Sequence, residues 1–192
     1  MNNNELQKTI SNNPLFCSLI GVGAALLIAD TLKNGLLLCA VTAIVAVWVF
    51  AFDAIMHGKV KSENLFWLKM FVGVIISLPI TIVLGMFLEP EKAVLFAIVG
   101  AGGGCVLAST AKCETLIGAI GKSLTFSLGY SVAVLIFAFM RELLANGSIF
   151  GLKFFGGIEF FKSWYGTILI FVATAAVYKA VVNRISEGRE EE

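Results

Sequence analysis

The chain has 192 residues, of which 58% are hydrophobic and only 14% charged, with a formal net charge of +1. A soluble domain of this size has too little interior to hide that much apolar surface, and the mean hydropathy of +0.92 points the same way. A membrane protein is implied, and the absence of any basic cluster removes nucleic acid as a partner.

A polar segment, 1–14, opens the chain. It has little basic character and no small-residue cleavage site after it, so it leads into a retained helix and not a signal peptide. Six segments are then long enough to span a bilayer, or nearly so: about 15–31, 35–55, 65–88, 93–111, 123–144 and 164–182. Pro14 suits a first helical turn, with Asn12 or Asn13 as cap. Pro79 falls inside the third segment, where a kink is tolerated in membranes, and Pro90 is expected in a loop. The connection 145–163 is rich in Phe (Phe150, Phe154, Phe155, Phe160, Phe161) and runs into Trp164 and Tyr165. It is expected to lie at the headgroup level. The tail, 185–192, is charged and expected to be solvated.

Six spans place both termini on one side of the membrane. Nine of the 14 Lys and Arg residues fall on that side, including Lys59, Lys61, Lys69, Lys112 and Lys122. The five on the other are Lys33, Lys92, Arg141, Lys153 and Lys162. The bias favours cytoplasmic termini. No segment is large enough to be a soluble domain, so the chain is expected to be one subunit of a larger complex.

The sequence repeats itself at a spacing of 79 residues. Ile20-Gly21-Val22-Gly23-Ala24 through Thr31-Leu32-Lys33 aligns with Val99-Gly100-Ala101-Gly102-Gly103 through Thr110-Ala111-Lys112. Each copy sits in the first apolar segment of its half, which gives two three-helix repeats, 15–88 and 93–184. Glycine costs about 1 kcal/mol in a helix interior relative to alanine. The clustered glycines therefore suggest helices that either break at matching depth, as at a midplane binding site, or pack very closely.

Little conventional chemistry can be assembled. The only histidine, His57, has no carboxylate or histidine near it in sequence and is expected in a solvated loop. There is no phosphate-binding glycine loop with its Lys-Ser/Thr. The cysteines, Cys17, Cys39, Cys105 and Cys113, form no C-x-x-C pair, so no self-contained zinc or ferredoxin-type site is present. Cys105 differs from the others because Gly102-Gly103-Gly104 precede it, and bare backbone there leaves room for a bulky ligand at its thiolate. Asp30, Asp53, Arg141 and Glu142 lie near span ends, where water can reach them or their side chains can snorkel.

The stretch Phe139-Met140-Arg141-Glu142-Leu143-Leu144-Ala145-Asn146-Gly147-Ser148-Ile149-Phe150-Gly151 resembles the F-x-R-E-L-L-G-S-G-x-L-F-G signature of the six-helix subunits shared by the sodium-translocating NADH:quinone reductase (Nqr) and the Rnf ferredoxin:NAD oxidoreductase. It is closer to the Nqr D or Rnf E branch than to the sister Nqr E or Rnf A branch. Asn13-Pro14 followed by Ile20-Gly21-Val22 is similar to the family's N-P…L-G-x-C. Lys92 to Cys105 has the spacing of its run into I-T-N-C, and Gly118 to Tyr130 resembles G-x-G-x-x-L-G-Y.

The resemblance implies an all-α integral membrane fold: six transmembrane helices as two inverted three-helix repeats with interrupted first helices. It also implies a [2Fe-2S] cluster shared with a sister six-helix subunit, to which each subunit gives one cysteine from each half. Cys105 matches the second family cysteine and would be the metal ligand, with Gly102, Gly103 and Gly104 beside the cofactor in place of I-T-N. Gly23 stands where the first family cysteine belongs.

The expectation is a subunit, not catalytic by itself, of an ion-translocating oxidoreductase in the bacterial or archaeal cytoplasmic (inner) membrane, helping to relay electrons through an iron-sulfur centre. The loss of the cysteine at Gly23 keeps a redox-inactive reading open, in which the same fold serves as a transporter or a small-molecule or ion-binding membrane subunit. A purely structural scaffold is the third possibility.

Overall fold

A computed structural model describes residues 26, 28–57, 59–109 and 115–187. Five longer helices and one short one carry almost all of them: α1 (Leu32–Met56), α2 (Ser62–Gly85), α3 (Pro90–Ser109), α4 (Leu116–Arg141), α5 (Glu159–Lys162) and α6 (Trp164–Glu187). Among the described residues, Leu32–Met56, Asn64–Gly85 and Leu116–Asn146 are long and apolar enough to cross a bilayer, and Trp164–Ala180 is a shorter apolar stretch. The five predicted segments from 35–55 onward reappear as helices, displaced by several residues at their ends, while nearly all of the first, 15–31, lies outside the described residues. Pro90 is the first residue of α3 and not a loop residue; its missing N–H costs nothing in a first turn.

α1 is the centre of the molecule, packed against α2, α3 and α4. Leu38, Val41, Val45, Ala46, Val49 and Phe50 are buried along it, facing Ala133, Val134, Phe137 and Ala138 of α4. The two helices run antiparallel. Gly35 meets Ala138 near one end, Cys39 donates its S–H to the Ser131 carbonyl, and Phe50 stacks on Phe126 further along. A Cβ on Gly35 would come within 2.8 Å of the Ala138 Cβ. Small residues here set the helix spacing, as is usual where lipid gives no hydrophobic drive for helix association. Each helix begins on a threonine cap: Thr31 accepts from the Asn34 N–H, and Thr115 from the Gly118 N–H.

The glycine cluster of the second half does not break its helix. α3 continues through Gly100 to Gly104 and on to Ser109, so the interruption expected at Gly102-Gly103-Gly104 is not found there. The propensity cost is local, whereas α3 is held along its length by α1 and α2. The corresponding segment around Gly23 lies outside the described residues, as do the whole polar segment 1–14 and the end of the tail 185–192.

The end of α4 is irregular. A single π-helical turn, Glu142–Asn146, follows Arg141 and closes on Gly147 in the left-handed region (φ 64°). A hairpin comes next: β1 (Ser148–Ile149) pairs antiparallel with β2 (Leu152–Lys153), and both turn residues, Phe150 and Gly151, have positive φ. That is the turn type whose twist suits a two-residue hairpin. The Gly147 carbonyl accepts from the Phe154 and Phe155 N–H groups, and the Ile158 N–H donates to the Leu144 carbonyl. The predicted Phe-rich loop is therefore a strapped-down hairpin leading into α5. The aromatic side chains at this end, Phe150, Phe154, Phe155, Phe160, Trp164 and Tyr165, are exposed.

Candidate functional site

The Arg141-Glu142 pair forms a polar site held by backbone partners from other segments of the chain. The Arg141 guanidinium donates to the Leu26 carbonyl at 2.8 Å. Leu26 and Ile28 are helical, and the chain turns at Ala29 and Asp30 before α1 begins at Leu32. Arginine thus meets the carbonyl end of one helical segment. Glu142 meets the N–H end of the next: its Oε2 accepts from the Leu32 N–H at 2.6 Å, and Oε1 accepts from the Gly151 N–H of the hairpin turn at 3.4 Å. A cation at a helix C-terminus and an anion at an N-terminus both complement the helix dipole. Glu142 is 4% exposed, so its charge is kept at depth by backbone donors and not by water. The expectation of solvated, snorkelling charges fails for this residue.

It fails at the opposite end of α1 as well. Asp53 is 2% exposed and forms an ion pair with Lys69 of α2 at 2.5 Å. The two are 16 residues apart but flank the same short turn at 57–61. Opposite charges placed one to two helical turns inside two successive spans were the available signal, since the intervening turn brings such positions together. Asp30 accepts from the Asn34 side chain at 2.6 Å, in an exposed setting, as expected of a span end.

Between these pairs lies a small group of buried hydroxyls. Thr42 and Tyr130 face each other across α1 and α4, and Ser127 is buried nearby on α4. Cys39 is buried beside Tyr130 with its thiol given to the Ser131 carbonyl.

The predicted cofactor residues are placed as follows. Gly102, Gly103, Gly104 and Cys105 occupy the second half of α3, with Gly102 half-buried. Gly23, Cys17 and Cys113 lie outside the described residues. Among the described residues no group of three or more His, Cys, Asp or Glu side chains is placed to hold a metal ion. His57 is exposed at the C-terminal cap of α1. A four-ligand iron-sulfur centre is not assembled by the described residues, and Cys39 is committed elsewhere.

One cavity that the sequence did not suggest opens at the Arg141-Glu142 end. It has a volume of about 660 Å³ and is lined by Thr31 and Lys33 of the α1 start, Glu142 and Asn146 of the π turn, Ser148, Phe150, Gly151 and Lys153 of the hairpin, and Lys162 of α5.

Comparison with known proteins accords with this organisation. The profile of the Rnf-Nqr subunit family of membrane proteins matches residues 3–182. The chain is also similar to the D subunit of the Na(+)-translocating NADH-quinone reductase of Pseudoalteromonas translucida (strain TAC 125), with 24% identity over 151 residues, covering 74% of this chain and 70% of that protein. Nearly the whole chain falls within the family match, and its apolar spans and Arg-Glu-Leu-Leu block are in place: the protein belongs to the Rnf-Nqr family of membrane subunits.

Proposed function

We infer that the chain is a membrane subunit of an Rnf- or Nqr-type ion-translocating oxidoreductase, and that it contributes to electron passage by giving the Cys105 thiolate to an iron-sulfur centre shared with a sister subunit. The family match over residues 3–182 supports the membrane-subunit part of this reading, and the match of Cys105 to the family's second cysteine motivates the rest. One thiolate is a quarter of the donor set of a [2Fe-2S] centre, and a sister subunit would supply further ligands. When bound, the centre would accept and pass on single electrons. This chain's part is to hold one ligand on α3, itself packed on α1 and α2.

The architecture that goes with this is six spans in two inverted three-helix repeats, 15–88 and 93–184, in a bacterial or archaeal cytoplasmic membrane with cytoplasmic termini. The matching threonine caps of the antiparallel α1 and α4 support the inversion, because equivalent helices then start from opposite faces. Sodium or protons would be the coupled ion.

A second reading keeps the fold without the redox centre: a transporter or an ion-binding subunit. Gly23, at the place of the family's first cysteine, favours it, as does the buried Asp53–Lys69 pair, since ionisable residues at depth commonly mark ion paths. Purification of the intact complex through this chain separates the two. Co-purifying redox subunits and iron support the first reading. Substrate or ion uptake by liposomes holding this chain alone, with no iron in the native complex, supports the second.

A further inference from the structure

The cavity at the Arg141-Glu142 end has the composition of an anion site. Lys33, Lys153 and Lys162 line it from three different elements, the start of α1, strand β2 and α5. Among the described residues none of these three ammonium groups has an ion-pair partner; the pairs found are Lys69–Asp53 and Lys92–Glu89. The one acid in the lining, Glu142, has its two oxygens occupied by the Leu32 and Gly151 N–H groups. Its charge is therefore satisfied by backbone donors, and the lining carries a net charge of +2. Asn146 and Ser148 add neutral hydrogen-bonding groups at the wall.

A second observation fixes where this site sits. Exposed Phe150, Phe154, Phe155, Trp164 and Tyr165 surround the same end of the bundle, with Phe150 and Phe155 in the cavity wall. Aromatic residues concentrate at the membrane–water interface, so the cavity opens at headgroup depth. A group entering there carries its charge into the lysines and its apolar part past the two phenylalanines.

We propose that this cavity binds the phosphate of an anionic phospholipid, with Lys33, Lys153 and Lys162 holding the headgroup and Phe150 and Phe155 flanking the start of the acyl chains. The site is built from the hairpin, the π turn and the α1 start, three segments already joined through Glu142, so an occupant reinforces that junction. The inference is independent of the redox reading.

The test uses the full-length chain in its purified complex, delipidated in neutral detergent. The midpoint of thermal unfolding is followed against added short-chain phosphatidylglycerol, phosphatidylcholine or inorganic phosphate. Phosphatidylglycerol is expected to raise the midpoint and phosphatidylcholine to leave it unchanged. A basic residue near an anionic surface is worth about 5-fold in affinity, so Lys33→Gln/Lys153→Gln/Lys162→Gln is expected to weaken the phosphatidylglycerol response about 100-fold. The Arg triple variant is expected to keep it. If the Gln triple variant does not fold, Lys153→Gln and Lys162→Gln alone, both on exposed positions, are expected to weaken it about 5-fold each. Equal responses to the two lipids, or an unchanged response in the Gln variants, overturn the proposal. A response to inorganic phosphate as large as that to phosphatidylglycerol overturns the lipid source.

Discussion

The two ends of α1 solve one problem in different ways. At its start, the buried Glu142 carboxylate is satisfied by backbone N–H groups, and Arg141 by a backbone carbonyl. Towards its finish, Asp53 and Lys69 satisfy each other. The first arrangement spends its charges on helix ends, which would need polar partners in any case. It therefore fixes how the chain turns between Leu26 and Leu32. The second joins two side chains from successive helices. It fixes α1 against α2 and leaves a dipole near the bilayer interior, the costlier arrangement of the two.

The largest expected effect breaks the second pair. Lys69→Met takes away the ion-pair partner of the buried Asp53 and should cost about 3–5 kcal/mol, read as a fall in the unfolding midpoint of the detergent-solubilised protein. Asp53→Leu combined with Lys69→Met should recover most of it. A double variant as damaged as the single one would assign Asp53 a partner more important than Lys69.

Glu142→Leu should follow, at about 1–3 kcal/mol for each N–H left unsatisfied, whereas Glu142→Gln keeps an acceptor and should cost less. The contrast between Leu and Gln is the useful readout, because loss of charge alone predicts equal damage. Gly35→Ala pushes a methyl into Ala138 and should cost about 1–3 kcal/mol by overpacking, with Ala138→Gly restoring it. Thr31→Ala removes a cap worth about 1 kcal/mol. Tyr130→Phe is expected to be the mildest, because its hydroxyl gives up only its interaction with Thr42.

These contrasts also explain what was legible in the sequence. Hydropathy and length located the helices: the segment expected at 35–55 is Leu32–Met56, and that at 65–88 is Ser62–Gly85. The same one-dimensional signal gives depth and says nothing about partners. Asp53 and Glu142 sit close enough to span ends to be read as solvated, and only the turn at 57–61 and the fold-back of the hairpin reveal what they face. The hairpin did carry a local sign, Phe150-Gly151 between Ile149 and Leu152, hidden by the aromatic richness around it. Lys33, Lys153 and Lys162 are spread over 130 residues, and no spacing could have announced a shared cavity. The Gly102-Gly103-Gly104 break was misjudged for the opposite reason: a strong local preference was outweighed by packing on both sides.

The redox role of Cys105 is the claim on which the functional account turns. The direct measurement compares iron, acid-labile sulfide and the EPR spectrum of the complex purified through this chain, wild type against Cys105→Ser. Other subunits can bring clusters of their own, so the difference is what counts. The account predicts that the variant loses about two irons, two sulfides and one signal, the content of a [2Fe-2S] centre, while the complex stays assembled. Identical iron, sulfide and spectra in an intact complex would contradict it.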